Sequence, residues 1–337
     1  MKSGLKPFST ILKTILIILA VVGALTIALI IVFVNSLGSV GSSTGGGGAY
    51  NGPGHDYIAK ISVVGEISDV DYSYYSSDVI YHHDWTIETI DTLIEDNRNK
   101  AIYLYLDTPG GTVYESDALY LKLMEYKEKT DRPIYVYMGS MAASGGYYVA
   151  ASADYIYANR NTWTGSIGVT LGTLFDVTGF LDKHGIKTET ITSGKNKAMG
   201  GYYDPMTPEQ KKIFQGLVDD AYDQFVGIVA KGRNMDDDKV RVIADGRLYT
   251  ASQALSNGLI DEILGEKEAE VAIIEQVGGK VEIDNVYYTP STNFLSSLGV
   301  KNNTDGLSVS GDVAAVLDLM DRQAEAGIPV PMYMFGR

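Results

Sequence analysis

The chain has 337 residues, 45% of them hydrophobic, with no cysteine and a net charge of −15 from 27 basic and 42 acidic residues. Without thiols a cysteine nucleophile, a disulfide framework and a thiolate metal site are excluded. The acidic balance argues against nucleic acid as a partner, because phosphate binding needs clustered Lys and Arg to displace counterions.

Charge is unevenly placed. Residues 1–48 hold Lys2, Lys6 and Lys13 and no acid, so the rest, with 24 basic against 42 acidic residues, carries −18. From Ile15 to Val34 runs an uncharged apolar segment of 20 residues, which as a helix spans roughly 30 Å, one bilayer crossing. A cleavable signal peptide would have an apolar core of about 7 to 15 residues ending at a small-residue site. This run is longer and leaves through Asn35 and Ser36, so a permanent anchor is expected. The flanking lysines place residues 1–14 in the cytoplasm and the acidic bulk outside the cell membrane. Residues 35–54, rich in Gly and Ser, read as a flexible linker.

From Tyr57 onward short β-rich runs alternate with helical ones. Ile58 to Val64, Ala101 to Leu106, Ile134 to Met138 and Tyr155 to Ala158 read as strands. Thr86 to Asn97, Tyr114 to Lys129 and Phe175 to Lys183 have helical periodicity. Thr207-Pro208-Glu209-Gln210 is a strong helix start, with Thr207 as N-cap and Gln210 placed for a capping box. The alternation predicts a largely parallel α/β core, with one domain over 55–265 and an extension over 266–337.

Four histidines narrow the chemistry. His55 falls in the linker, and His184 precedes Gly185 at an expected helix end. His82-His83-Asp84 reads as surface loop, with no second motif to complete a metal site. A histidine base is thus poorly supported, and the remaining nitrogen base is a lysine.

Three segments carry candidate chemistry. Met141-Ala142-Ala143-Ser144-Gly145-Gly146 follows the strand at Ile134 and crowds small residues around Ser144. A serine at a strand-to-helix junction exposes its hydroxyl, and the helix N-terminus offers free N–H groups to developing negative charge. On this segment alone the same serine is as readily explained, and more simply, as an N-cap. Asp107-Thr108-Pro109-Gly110-Gly111 follows the strand at Ala101, where glycine lets a backbone N–H approach a carbonyl, or forms an ordinary turn. Thr190 to Lys197 offers Lys195 and Lys197, which share a face if the chain is extended.

Together these blocks, with Thr164-Gly165-Ser166-Ile167-Gly168 and Ala244-Asp245-Gly246-Arg247-Leu248-Tyr249, resemble the signal peptide peptidase A family of bacterial membrane-bound serine peptidases, over about Tyr57 to Leu264. The resemblance implies a crotonase/Clp-protease-like α/β spiral of ββα units and no cofactor. It implies Ser144 as nucleophile, Lys197 closing S-G-x-x-K as general base, Ser166 orienting that lysine, and the Gly111 N–H as oxyanion donor. It also implies a homo-oligomer and peptide substrates such as signal-peptide remnants. A free lysine titrates near about 10.4, and a lysine base at neutral pH must lie roughly three pKa units lower, worth about 4 kcal/mol. Burial in an apolar site supplies this, provided no carboxylate is adjacent. Two rival readings are a crotonase-like acyl-transfer enzyme and a non-catalytic membrane scaffold. Neither explains an external location together with Ser144 and Lys197.

The tail from Ala326 to Arg337 carries Ile328, Val330, Met332, Tyr333, Met334 and Phe335, with Pro329 and Pro331 favouring an extended chain. Two readings stay open: a strand seated in a peptidase groove of its own or a neighbouring subunit, or a segment packed on the core or at an interface.

Overall fold

A computed structural model describes residues 50–69, 81–288 and 332–334. In chain order the elements are β1 (Tyr57–Val64), α1 (His83–Glu95), β2 (Asn99–Thr108), β3 (Gly110–Thr112), α2 (Val113–Thr130), β4 (Ile134–Ala143), α3 (Gly145–Ala150), β5 (Tyr155–Ala158) and β6 (Trp163–Gly165). There follow α4 (Thr178–Lys183), α5 (Pro208–Arg233), α6 (Asp237–Ile243), β7 (Leu248–Thr250), α7 (Ala251–Ser256), β8 (Glu262–Ile263), α8 (Glu266–Val277), β9 (Glu282–Val286) and β10 (Met332–Met334). The expected transmembrane run, Ile15 to Val34, lies outside the described residues. Among those described, no helix is long and apolar enough to cross a membrane.

Strand alternation builds a core on each side of the sheet. Ala59, Ile61 and Val63 of β1, Ile102, Leu104 and Leu106 of β2, and Ile134, Val136 and Met138 of β4 enter the main core. The intervening Ile58, Tyr103, Tyr135 and Tyr137 pack with Ala269 and Ile273 of α8 in a second one. Burial on both faces is the mark of a parallel sheet. The observed order is β7-β6-β4-β2-β1-β9, with β5 beside β4 and β8 beside β5. All these pairings are parallel except β6 with β7. The fold is therefore the mixed α/β architecture expected for a Clp-protease-like chain.

Several local expectations are modified. The strand at Ile134 continues to Ala143, because after Met138 it leaves β5 and pairs with β6. The helix expected from Phe175 begins at Thr178, where the Asp176 carboxylate takes the Thr178 N–H at 3.0 Å and holds the preceding residues in a turn. His82-His83-Asp84 is not surface loop. His82 stacks on Tyr288, and His83, buried at the start of α1, shares a 2.7 Å hydrogen bond with the Tyr81 hydroxyl. Residues 266–286 of the expected extension supply α8 and β9, the latter pairing with β1. The capping box at Thr207 forms as read, with Thr207 and Gln210 exchanging bonds of 3.0 and 3.2 Å.

Candidate active site

Ser144 stands between the last residue of β4 and the first of α3, with φ 54° and ψ −116°. Such a backbone is costly for a non-glycine residue and persists only where neighbours enforce it. Here the Ser144 N–H donates to the Gly165 carbonyl at 2.8 Å, fixing the turn to β6. The side chain makes no capping hydrogen bond, so the N-cap reading of Ser144 fails. Gly146 lets α3 sit against the end of β2, since a Cβ there would lie 2.7 Å from the Thr108 methyl group. The N–H of Gly145 opens α3 and has no intrahelical acceptor.

Gly111 lies on β3. Ile67 donates its N–H to the Gly110 carbonyl at 2.9 Å, and its carbonyl accepts from the Thr112 N–H at 3.0 Å. Backbone groups alternate along a strand, so the N–H and carbonyl of Gly111 point to the opposite side. On that side β10 pairs antiparallel with β3, placing Tyr333 opposite Gly111, Met332 opposite Thr112 and Met334 opposite Gly110. No side chain fits at Gly111, because a Cβ would fall 1.9 Å from the Ile67 carbonyl oxygen.

Ser166 also holds a left-handed backbone, φ 49°, with its N–H donating to the Arg247 carbonyl at 2.8 Å. Gly165 before it has φ 84°, and a Cβ there would meet the Tyr249 ring at 2.6 Å. The Thr164 and Ala244 blocks thus meet as the β6–β7 pair. Ser144 and Ser166 line one cavity of about 370 Å³, walled by Val169, Val218, Tyr222 and Ala244, with Thr170, Asp219 and Asp245 also contributing. Hydrogen bonding and ion pairing to Arg247 hold the Asp245 carboxyl below its usual range.

Lys197 is not among the residues lining that cavity. Its segment turns, the Lys197 N–H bonding to the Gly194 carbonyl at 3.0 Å, so the extended stretch that would put both lysines on one face does not form. Lys195 pairs with Glu209 at 2.7 Å, while the Lys197 side chain is exposed. No residue from 168 to 213 is buried. This arm displays Phe175, Phe180, Ile186, Ile191 and Tyr203, each at least half exposed, and Ile191 reaches 91%. From the sequence the Thr164 block offers only the Ser166 side chain, as orienter of the lysine, and the Ala244 block has no role. Only the fold shows that their backbone carbonyls, at Gly165 and Arg247, hold the two serine turns.

Two family models match the chain: Peptidase family S49 over residues 126–278 and Clp protease over residues 81–163. A protein of Enterococcus faecium provisionally named signal peptide peptidase SppA is 35% identical over 288 residues, covering 85% of this chain and 83% of the relative. The chloroplastic serine protease SPPA of Arabidopsis thaliana is 35% identical over 224 residues, 66% of this chain and 32% of that protein. Protease 4 of Haemophilus influenzae is 36% identical over 176 residues, 52% and 28% respectively. A largely parallel α/β sheet with a serine at a strand-to-helix turn, together with these matches, defines a serine peptidase of the Clp-protease type. The chain belongs to the signal peptide peptidase A family, within peptidase family S49.

Proposed function

We propose that the protein is a membrane-anchored serine endopeptidase, a spiral of ββα units behind one transmembrane helix, that hydrolyses peptides such as signal-peptide remnants with a Ser144/Lys197 dyad. The observation that carries this reading is the enforced turn at Ser144 beside Ser166 in one cavity. Lys197 in its neutral form accepts the Ser144 Oγ proton as Oγ attacks the peptide carbonyl carbon. The N–H groups of Gly111 and Gly145 take the developing oxyanion. The proton then passes to the leaving amine, the C–N bond breaks, and an acyl ester remains on Ser144. Water, losing a proton to Lys197, attacks the ester carbon, and as the bond to Oγ breaks Lys197 returns that proton to Ser144 Oγ, releasing the acid. Ser166 holds the lysine amine in place.

Within one chain Lys197 stands exposed on an arm that contains no fully buried residue. This supports a homo-oligomer in which the arm of one copy lies on the next and brings Lys197 to the neighbour's Ser144. Covering the arm's aromatic and aliphatic side chains supplies the driving force.

The backbone pairing of Met332–Met334 with Gly110–Thr112 favours the groove reading of the tail. An extended peptide added beside the oxyanion strand is how a peptidase takes substrate, and the backbone of Tyr333 lies opposite Gly111, whose N–H an oxyanion would need.

A fluorophosphonate probe applied to the full chain in membranes tests the dyad. Labelling is expected on Ser144, lost in Ser144→Ala and in Lys197→Ala. Undiminished labelling in Lys197→Ala would remove the lysine base. Cleavage next to small or apolar side chains is expected in digests read by mass spectrometry, and a preference for charged residues would overturn that part.

A further inference from the structure

β2 and β4 stay in step as far as Leu106 opposite Met138, and the next matched pair is Thr108 opposite Ala142. Asp107 alone therefore faces three residues, Gly139, Ser140 and Met141. This excursion is where β4 exchanges one neighbour for another, Met138 pairing with Ala158 and Met141 with Trp163. A chain that leaves its ladder must find other partners for its polar groups. Asp107 Oδ1 accepts from the Ser140 hydroxyl at 2.5 Å and from the Met141 N–H at 3.1 Å. On the carbonyl side, the Thr162 hydroxyl sits 3.0 and 2.6 Å from the Met138 and Gly139 oxygens. Gly139 gives the carboxylate room, since a Cβ there would lie 2.7 Å from the Tyr105 hydroxyl and 3.1 Å from Asp107 Oδ2.

The carboxylate thus occupies the root of both arms of the site. Three residues after Met141 comes Ser144, and four residues after Asp107 comes Gly111. A shift of the excursion would change the distance between the nucleophile and the N–H groups around it without opening the core, because Ser140 is exposed and Met141 only half-buried.

We propose that Asp107 is a positioning residue, locking the strand that carries Ser144 to the strand that leads to Gly111. The inference rests on the peptidase reading above. Its test uses Asp107→Ala, Asp107→Asn and Ser144→Ala in the full membrane-bound protein, with Ser144 titrated by a fluorophosphonate so that kcat is expressed per reactive site. In Asp107→Ala, kcat is expected to fall about thirty- to a hundredfold with KM within about threefold, as for a misplacement of about 1 Å. Asp107→Asn keeps an oxygen for the Met141 N–H and is expected to recover at least about a tenth of wild-type kcat. Wild-type kcat per titrated site in Asp107→Ala, or an Asn variant no better than Ala, overturns the assignment. If Asp107→Ala does not fold, Asp107→Glu replaces it. Glu displaces the carboxylate by one methylene and is expected to cost more than about tenfold in kcat, unchanged kcat being fatal. An active Ser144→Ala protein brings down the peptidase reading itself, whereas an inactive one beside a fully active Asp107→Ala brings down this inference alone.

Discussion

The backbone N–H of Ser144 donates to the carbonyl of Gly165 at 2.8 Å, and the residue after Gly165 is Ser166, which lines the same cavity. One short strand, β6, therefore sets the positions of both serines. It is held in turn by antiparallel pairing with β7, Gly165 opposite Leu248, and just beyond the pair the Ser166 N–H donates to the Arg247 carbonyl.

That arrangement makes Gly165→Ala a sharp probe. The residue sits at φ 84° and has the Tyr249 ring 2.6 Å from any added Cβ, so β6 has to move. The expected result is a loss of about a hundredfold or more in kcat per folded molecule. Circular dichroism should retain the α/β signature, because most of the main core comes from β1, β2 and β4 and from α1, α2, α3 and α5. Wild-type turnover would show that β6 does not set the nucleophile.

The exposed arm carrying Lys197 leads to a test of assembly. Ser144→Ala and Lys197→Ala chains are each expected to be inactive. Co-expressed in equal amounts, they should recover about one quarter of wild-type activity, since random assembly pairs an intact serine with a neighbour's intact lysine at that frequency. If both members of the dyad came from one chain, the mixture would stay inactive. Peptide hydrolysis by purified mixed oligomers distinguishes the two.

Much of this was legible in the sequence because it is local. Alternating apolar residues in β1, β2 and β4 announced strands, and Thr207 with Gln210 announced the cap of α5. Glycines around Ser144 and at Gly111 announced close backbone approach. What was hidden depends on contacts distant in sequence. Nothing local tells that Gly165 would bond to Ser144 or that β4 would change partners at Gly139. Nor does the spacing of Lys195 and Lys197 reveal that their segment turns. His83 is hidden for the same reason: its burial comes from packing at the start of α1, where it meets Tyr81, while its neighbours in sequence, His82 and Asp84, look polar.

His83 also gives a pH dependence. Burial lowers its pKa from the ordinary 6.5, although Asp84 and Asp69 act in the opposite direction. The unfolded chain therefore binds the proton more readily than the folded one. Its contribution to stability is complete above about 6.5 and is lost as pH falls through the lower folded value. Tm should decline between pH 7 and 5 more steeply in the wild type than in His83→Asn, which cannot titrate there. Parallel Tm curves would show that His83 protonation is not linked to folding.

The tail leads to the last expectation. Tyr333 lies opposite Gly111 in antiparallel register, and the alternation around Ile67 turns the Gly111 N–H toward it. A strand held there would compete with substrate for the proposed oxyanion donor, and because it belongs to the same assembly it competes without having to diffuse in from solution. A short peptide at micromolar concentration would be at a disadvantage, so a chain ending at Glu325 should hydrolyse such peptides several-fold faster than the full-length protein, mainly through a lower apparent KM. A tail seated as substrate should also be trimmed by the active enzyme and remain whole in Ser144→Ala, which intact-mass spectrometry reads directly. The two results separate the roles. Faster hydrolysis with an untrimmed tail identifies an inhibitor that is bound out of line for attack, and trimming without a change in rate identifies a substrate that leaves once cut. Equal rates together with an untrimmed tail in the active enzyme would assign β10 to packing alone.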